Sequence, residues 1–164
     1  LSAGDRQLIE CLDDHRQIGE RIIAARSLVQ ASFREEISRS PVDPGCSKLR
    51  QYLVASLRGR PYEELLAIFT DEECGFLSEE IVATGGSSCV TVHNRPLLHR
   101  ALELGAHGIL LVHNHPSRKP RPSPQDIEST RRIALLVRAV DIHLIDHLIV
   151  AGRKICSMRE MELL

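Results

Sequence analysis

His113 and His115 stand two apart at the end of a short aliphatic run, Gly108-Ile109-Leu110-Leu111-Val112. That run is short, apolar and β-branched, and reads as a buried strand. Residues two apart on a strand share a face, so the two imidazoles project together from its end. Pro116 stops the ladder, and Pro120, Pro122 and Pro124 keep the next segment irregular. Ser123-Pro124-Gln125-Asp126 then carries the marks of a helix start, with Ser at the N-cap, Pro at the first helical position and an acid at the third. The loop thus brings a carboxylate back to the imidazoles. His113, His115 and Asp126 make a three-ligand zinc set with a fourth position open for water, as catalytic zinc requires. Zinc held there lowers the pKa of its water towards neutrality and supplies a nucleophile.

Each feature alone has a plainer explanation. Asp126 could only reciprocate Ser123 in a capping box, and His-x-His could be a hydrogen-bonded polar rim. The combination is what is specific: His-x-His, seven residues, Ser, two residues, Asp, in strand–loop–helix order. Asp146 and His147 interrupt a second apolar run, and buried Asp and His must be hydrogen-bonded. They are either partners that orient a zinc ligand or a self-satisfied structural pair. Amide hydrolysis further requires a proton acceptor for water, a donor for the leaving amine and a stabiliser of the oxyanion. The Ser123 hydroxyl, close to the metal, suits the last role.

This pattern resembles the JAMM motif of the MPN-domain (JAB-type) metalloproteases. The wider text looks like their RadC-like branch: Ala101-Leu102-Glu103-Leu104-Gly105-Ala106, then Ile109 through Ser117, then Pro122-Ser123-Pro124-Gln125-Asp126-Ile127, then Leu144-Ile145-Asp146-His147-Leu148-Ile149-Val150. The resemblance covers about residues 47–164. Arg118 stands where the family usually has Gly, Thr84-Gly85-Gly86 departs from the usual Gly-Thr order, and an extra Ala151 precedes Gly152. The resemblance implies the MPN fold, a cytidine-deaminase-like mixed sheet flanked by helices. It implies a zinc-dependent peptidase or isopeptidase acting on a protein or peptide, often a ubiquitin-like conjugate. It also implies Ser123 as the motif serine. In the resembled family the general base lies on the strand after the first domain helix, which matches Glu63; Glu64 then faces the other way. Glu79 and Glu80 are alternatives that fit less well. A second reading is a catalytically idle MPN module acting in protein interaction or DNA repair, though an idle module has no chemical need for three ligands. Base deamination expects His-x-Glu and Cys-x-x-Cys, and the chain has neither.

The elements that must position this site are those of an α/β layered sandwich with a helical N-terminal extension. Residues 2–38 read as helix, from Ser2 and Asp5 through Leu8, Ile9, Leu12, Ile18, Ile22, Ile23, Leu28 and Val29, with a break near Asp13-Asp14 or Gly19. No reactive constellation lies there, so packing or a homodimer contact is its expected role. Ser40-Pro41-Val42-Asp43-Pro44-Gly45 is the linker, separating an extension over 1–40 from a domain over 47–164. Helices are expected over 48–58, 96–105 and 124–140. Strands are expected over 63–70, 75–84, 89–92, 108–115, 142–150 and 153–156, and a helical turn over 158–164. With 21 Lys and Arg against 22 Asp and Glu, charge gives no case for nucleic acid. Five widely spaced cysteines fit reduced thiols in a cytoplasm better than a disulfide framework. Neither a membrane span nor a secretory leader is legible.

Overall fold

The computed structural model of the chain describes residues 16–85 and 94–164. In chain order the elements are α1 (Arg16–Ile37), α2 (Ser47–Leu57), β1 (Glu64–Thr70), β2 (Phe76–Thr84), α3 (Asn94–Glu103), β3 (Gly108–Asn114), α4 (Pro124–Arg138), β4 (His143–Ala151) and β5 (Lys154–Ser157). One mixed sheet runs β2-β1-β3-β4-β5. β3 and β4 are parallel and the other neighbours antiparallel. A parallel pair needs a crossover of a dozen residues or more, and α4 with its Pro-rich approach supplies it.

Alternation along the strands sorts the core into two layers. Leu66, Ile68, Leu110, Val112, Leu148 and Val150 meet Leu49, Leu53 and Leu57 of α2. Leu65, Phe69, Ile109 and Leu111 face the other way, onto Leu97 of α3 and Ile133 and Val137 of α4. β3 is buried along its whole length, which is why its sequence is a continuous apolar run rather than an alternating one. Among the described residues Phe69 is the one aromatic of the large, fully buried side chains, so packing there rests on aliphatic shape. The β3–β4 register slips between Ile109 and Leu110. Gly108 permits the close packing beside this slip: a Cβ there would lie 2.4 Å from Thr70 Oγ1 and 2.9 Å from Ile145 Cδ1.

Element ends differ from the sequence expectations by a residue or two, as fraying ends do. Other differences have physical causes. α1 continues through Gly19, which is buried; one glycine inside a helix costs about 1 kcal/mol against alanine and does not by itself break it. Met158–Leu164 forms consecutive turns, with Glu162 at φ +58°, rather than a helical turn. Glu63 lies one residue before β1. The expected strand at 89–92 and the start of the N-terminal helix with its Asp13-Asp14 break lie outside the described residues. α1 contributes Ile37 to the core and pairs Arg34 with Glu79 at 3.5 Å. Ile18, Ile22, Leu28 and Val29 remain exposed. No helix among the described residues is long and apolar enough to cross a membrane.

Candidate metal centre

The sheet end formed by the start of β1 and the ends of β3 and β4 carries the chemistry: His113 is opposite Leu65 on one side and Ile149 on the other. β3 delivers His113 onto the α3–α4 face, and His115 follows just past the strand with its N–H still donating to Val150 O. α4 delivers Asp126 from its first turn. The ligand atoms of His113, His115 and Asp126 all lie within 4.8 Å of one another. His113 Nε2 and His115 Nε2 are 2.7 Å apart. Asp126 Oδ1 is 3.7 Å from the first ring and Oδ2 3.5 Å from the second. The His113 side chain is 3 % exposed, that of His115 9 % and that of Asp126 21 %, so the cluster is closed at the strand and open at the helix.

A hydrogen-bond chain fixes which ring nitrogens carry protons. Thr130 Oγ1 donates its one proton to Asp126 O at 2.5 Å, so towards His147 Nδ1, 2.6 Å away, it can only accept. His147 therefore carries its proton on Nδ1. Burial and then the nearby His113 push its pKa well below the ordinary histidine value, so its Nε2 is a bare acceptor. His113 Nδ1 lies 2.7 Å from that atom and must donate to it. His113 then presents a bare Nε2 to the cluster, and burial lowers its pKa to about 4. His115 Nδ1 donates to Lys119 O at 2.7 Å, which leaves its Nε2 turned inward as well. Two lone pairs and a carboxylate converge with no donor between them. Only a cation satisfies that arrangement, and the donor set, two imidazoles and one carboxylate, suits zinc. Without a metal the cation is a proton on His115, whose pKa is raised by its hydrogen bond to Asp126 against the effect of burial.

The capping role of Asp126 and its place in the His-His-Asp cluster are compatible. Ser123 caps α4, its Oγ accepting from Asp126 N at 3.1 Å. Asp126 Oδ2 in return accepts from Ser123 N and from Ser123 Oγ, both at 2.7 Å. The capping box aims the carboxylate at the imidazoles. Burial opposes its ionisation, but the hydrogen bonds from His115 and Ser123 and the charge of His113 hold it well below the usual carboxylate range.

Glu63, one residue before β1, is 8 % exposed. Burial raises its pKa; His115 pulls it down and Asp126 adds to the rise, so it shares the field of the cluster. Glu64 points away and pairs with Arg60. Asn114, between the two histidines, was not singled out from sequence. Its Oδ1 accepts from Glu64 N and its Nδ2 donates to Tyr62 O, both at 2.8 Å, which clamps the backbone on either side of Glu63. Glu79 and Glu80 are engaged elsewhere, with Tyr52 and Arg100. The Asp146-His147 pair divides: His147 supports His113, whereas Asp146 accepts from Ser157 Oγ, Arg159 N and His147 N and ties β4 to the C-terminal segment. Thr130, read from sequence only as a helix-face residue, completes the chain.

Arg118 has φ +59°, the left-handed region, with its N–H donating to His115 O at 3.0 Å. A side chain there costs about 1–2 kcal/mol, partly offset by the chain entropy that glycine loses on folding. Arg118→Gly should therefore stabilise the protein by about 0.5–1 kcal/mol, read as a rise of about 2 °C in melting temperature. An unchanged or lower value would count against the strain.

The family model of the RadC-like JAB domain matches residues 44–163. A UPF0758 protein of Pseudomonas syringae pv. tomato is 33% identical over 141 residues, covering 86% of this chain and 63% of that protein. One from Acidithiobacillus ferrooxidans is 41% identical over 113 residues, covering 69% of this chain and 50% of its own length. The UPF0758 protein YkfG of Escherichia coli K12 is 33% identical over 151 residues, covering 89% of this chain and 95% of that protein. The chain thus spans between half and two thirds of the first two relatives and nearly all of the third. With that match over most of its length and a five-stranded mixed sheet flanked by helices, the chain belongs to the RadC-like JAB domain family.

Proposed function

We propose that the protein is a zinc-dependent hydrolase that cleaves a peptide or isopeptide bond. The observation that carries this reading is the pair of inward-turned imidazole nitrogens facing the Asp126 carboxylate, beside a buried acid outside that cluster. His113, His115 and Asp126 would hold the ion. When bound, it supplies a Lewis acid that acidifies water and polarises a carbonyl.

The chain's own residues do the rest. Glu63 accepts a proton from the attacking water and returns it to the leaving amine, one carboxylate acting twice. Burial raises its pKa, which makes it a better proton acceptor than an exposed carboxylate. The Ser123 hydroxyl, whose one proton rests on Asp126 Oδ2, would turn that proton to the oxyanion as it forms. Thr130 and His147 hold the His113 tautomer. A protein or peptide, possessing the amide and too large for an enclosed pocket, fits the open side at Asp126. The test is metal content of protein prepared without chelator, then hydrolysis of a panel of isopeptide and peptide substrates before and after chelation. About one zinc per chain with chelator-sensitive cleavage is expected; zinc without cleavage of any amide would favour the idle interaction module.

Ser123→Ala should lower turnover while leaving metal content near parental, with about 1 kcal/mol lost from the helix cap. Parental turnover with only a lower melting temperature would assign Ser123 to the cap alone. Thr130→Val keeps volume but releases His147, so zinc affinity should weaken by about tenfold or more, the usual scale for a partner that orients a ligand. Unchanged affinity in a competition titration would reduce Thr130 to a packing residue.

A further inference from the structure

On the opposite face of the sheet, α1, α2 and the β4–β5 turn enclose a cleft of about 850 Å³. Arg50, Arg58, Arg60 and Arg153 line it, and among the described residues no acid does. That is unusual for a chain with 21 basic and 22 acidic residues, because like charges gathered in one concavity repel. Arg50 is occupied by Pro44 O and Glu160, and Arg60 by Ser56 O and Glu64. The guanidiniums of Arg58 and Arg153 have no hydrogen-bond or ion-pair partner among the described residues. They sit on the Arg58-Gly59-Arg60 loop and the Gly152-Arg153 turn. Gly59, at φ +79°, has open space where a side chain would stand.

We propose that this cleft binds a phosphorylated small molecule of nucleotide size. Two unpaired guanidiniums match the charge of one phosphate group, about −1.5 to −2, and their planar forks match its oxygens. The volume lies in the range of small-molecule sites, about 300–1,000 Å³. Ile23, Val54 and Ile155 offer apolar wall for the rest of the molecule, and Gln51 a side-chain amide. Arg60 links the cleft to the site already described, since its partner Glu64 adjoins Glu63; an anion competing for Arg60 reaches the Glu63 backbone within one residue. The proposal does not depend on the hydrolase reading.

The test is calorimetric titration of the full chain with inorganic pyrophosphate and with ATP at low salt, alongside a Glu-Glu-Glu peptide. Amide shifts in labelled protein would locate the site. Both phosphates should bind, more weakly as salt rises, and shift Gly59 and Arg153. The double substitution Arg58→Gln with Arg153→Gln, at exposed positions, should weaken binding about tenfold or more, the scale of charge-assisted hydrogen bonds lost. Arg138→Gln, on another surface, should not. Four results would overturn the proposal. They are no binding at millimolar probe, parental affinity in the double variant, the acidic peptide binding as well as pyrophosphate, and loss of binding in His113→Ala but not in the double variant, which would place the phosphates on the metal centre.

Discussion

His113→Ala will empty the metal centre. The substitution removes the one ligand held entirely by the fold: a buried ring whose far nitrogen is fixed by His147 and whose near nitrogen faces His115 at 2.7 Å. His115 and Asp126 alone leave one imidazole and one carboxylate, too few for a stable zinc site at neutral pH. Metal content should fall from about one per chain to a small fraction, and hydrolysis with it. The variant also leaves a void where a buried side chain stood, costing on the order of a few kcal/mol. Lost metal could then be blamed on unfolding. His115→Ala separates the two effects, because that ring sits past the strand end and, outside the cluster itself, is held by Lys119 O. It should lose metal comparably while melting close to the chelated parent. One equivalent of zinc retained in either variant, measured by atomic emission on folded protein, would falsify the ligand assignment.

The convergence of His113, His115 and Asp126 was legible because its geometry is local. Alternation on β3 and the helix start at Ser123 fix where His113, His115 and Asp126 point without knowledge of distant contacts. The fold class was legible for a related reason: a fully apolar β3, a Pro-rich crossover and an amphipathic α4 leave few arrangements besides a sheet with covered faces. What sequence could not supply was the support. Thr130 sits on α4 and His147 on β4, seventeen residues apart, and meet through a hydroxyl and a ring nitrogen. Nothing in the spacing announces that contact. The same limit explains why the Asp146-His147 pair stayed open between two readings: adjacent residues on a strand face opposite ways, so one could join the site and the other the C-terminal segment. Asn114 had a signal that went unread, its place between two ligands. A polar side chain at the last position of a buried strand must find partners, and the nearest free backbone is that of the neighbouring strand's entry.

That clamp bears on the base. Leu65 belongs to the core layer on the metal side, so Glu63, two residues earlier, shares its face, and Glu64 shares that of Leu66. Asn114 holds Tyr62 O and Glu64 N and thereby limits how far Glu63 can swing. Its environment fits a proton shuttle: burial raises its pKa while His115 moderates the rise. Glu63→Gln preserves volume and hydrogen-bonding shape but cannot take a proton. It should keep zinc and fold and slow hydrolysis by about a hundredfold or more, the usual scale of general acid–base catalysis. Glu64→Gln removes only the partner of Arg60, a part-exposed ion pair worth about 1 kcal/mol or less, and should leave turnover near parental. Measuring kcat for both on one verified substrate decides between them. Swapped outcomes would mean that the strand entry turns over by one residue when substrate binds. If neither variant slowed a confirmed cleavage, proton transfer through this carboxylate would have to be abandoned, because Glu79 and Glu80 are held by Tyr52 and Arg100 away from the cluster.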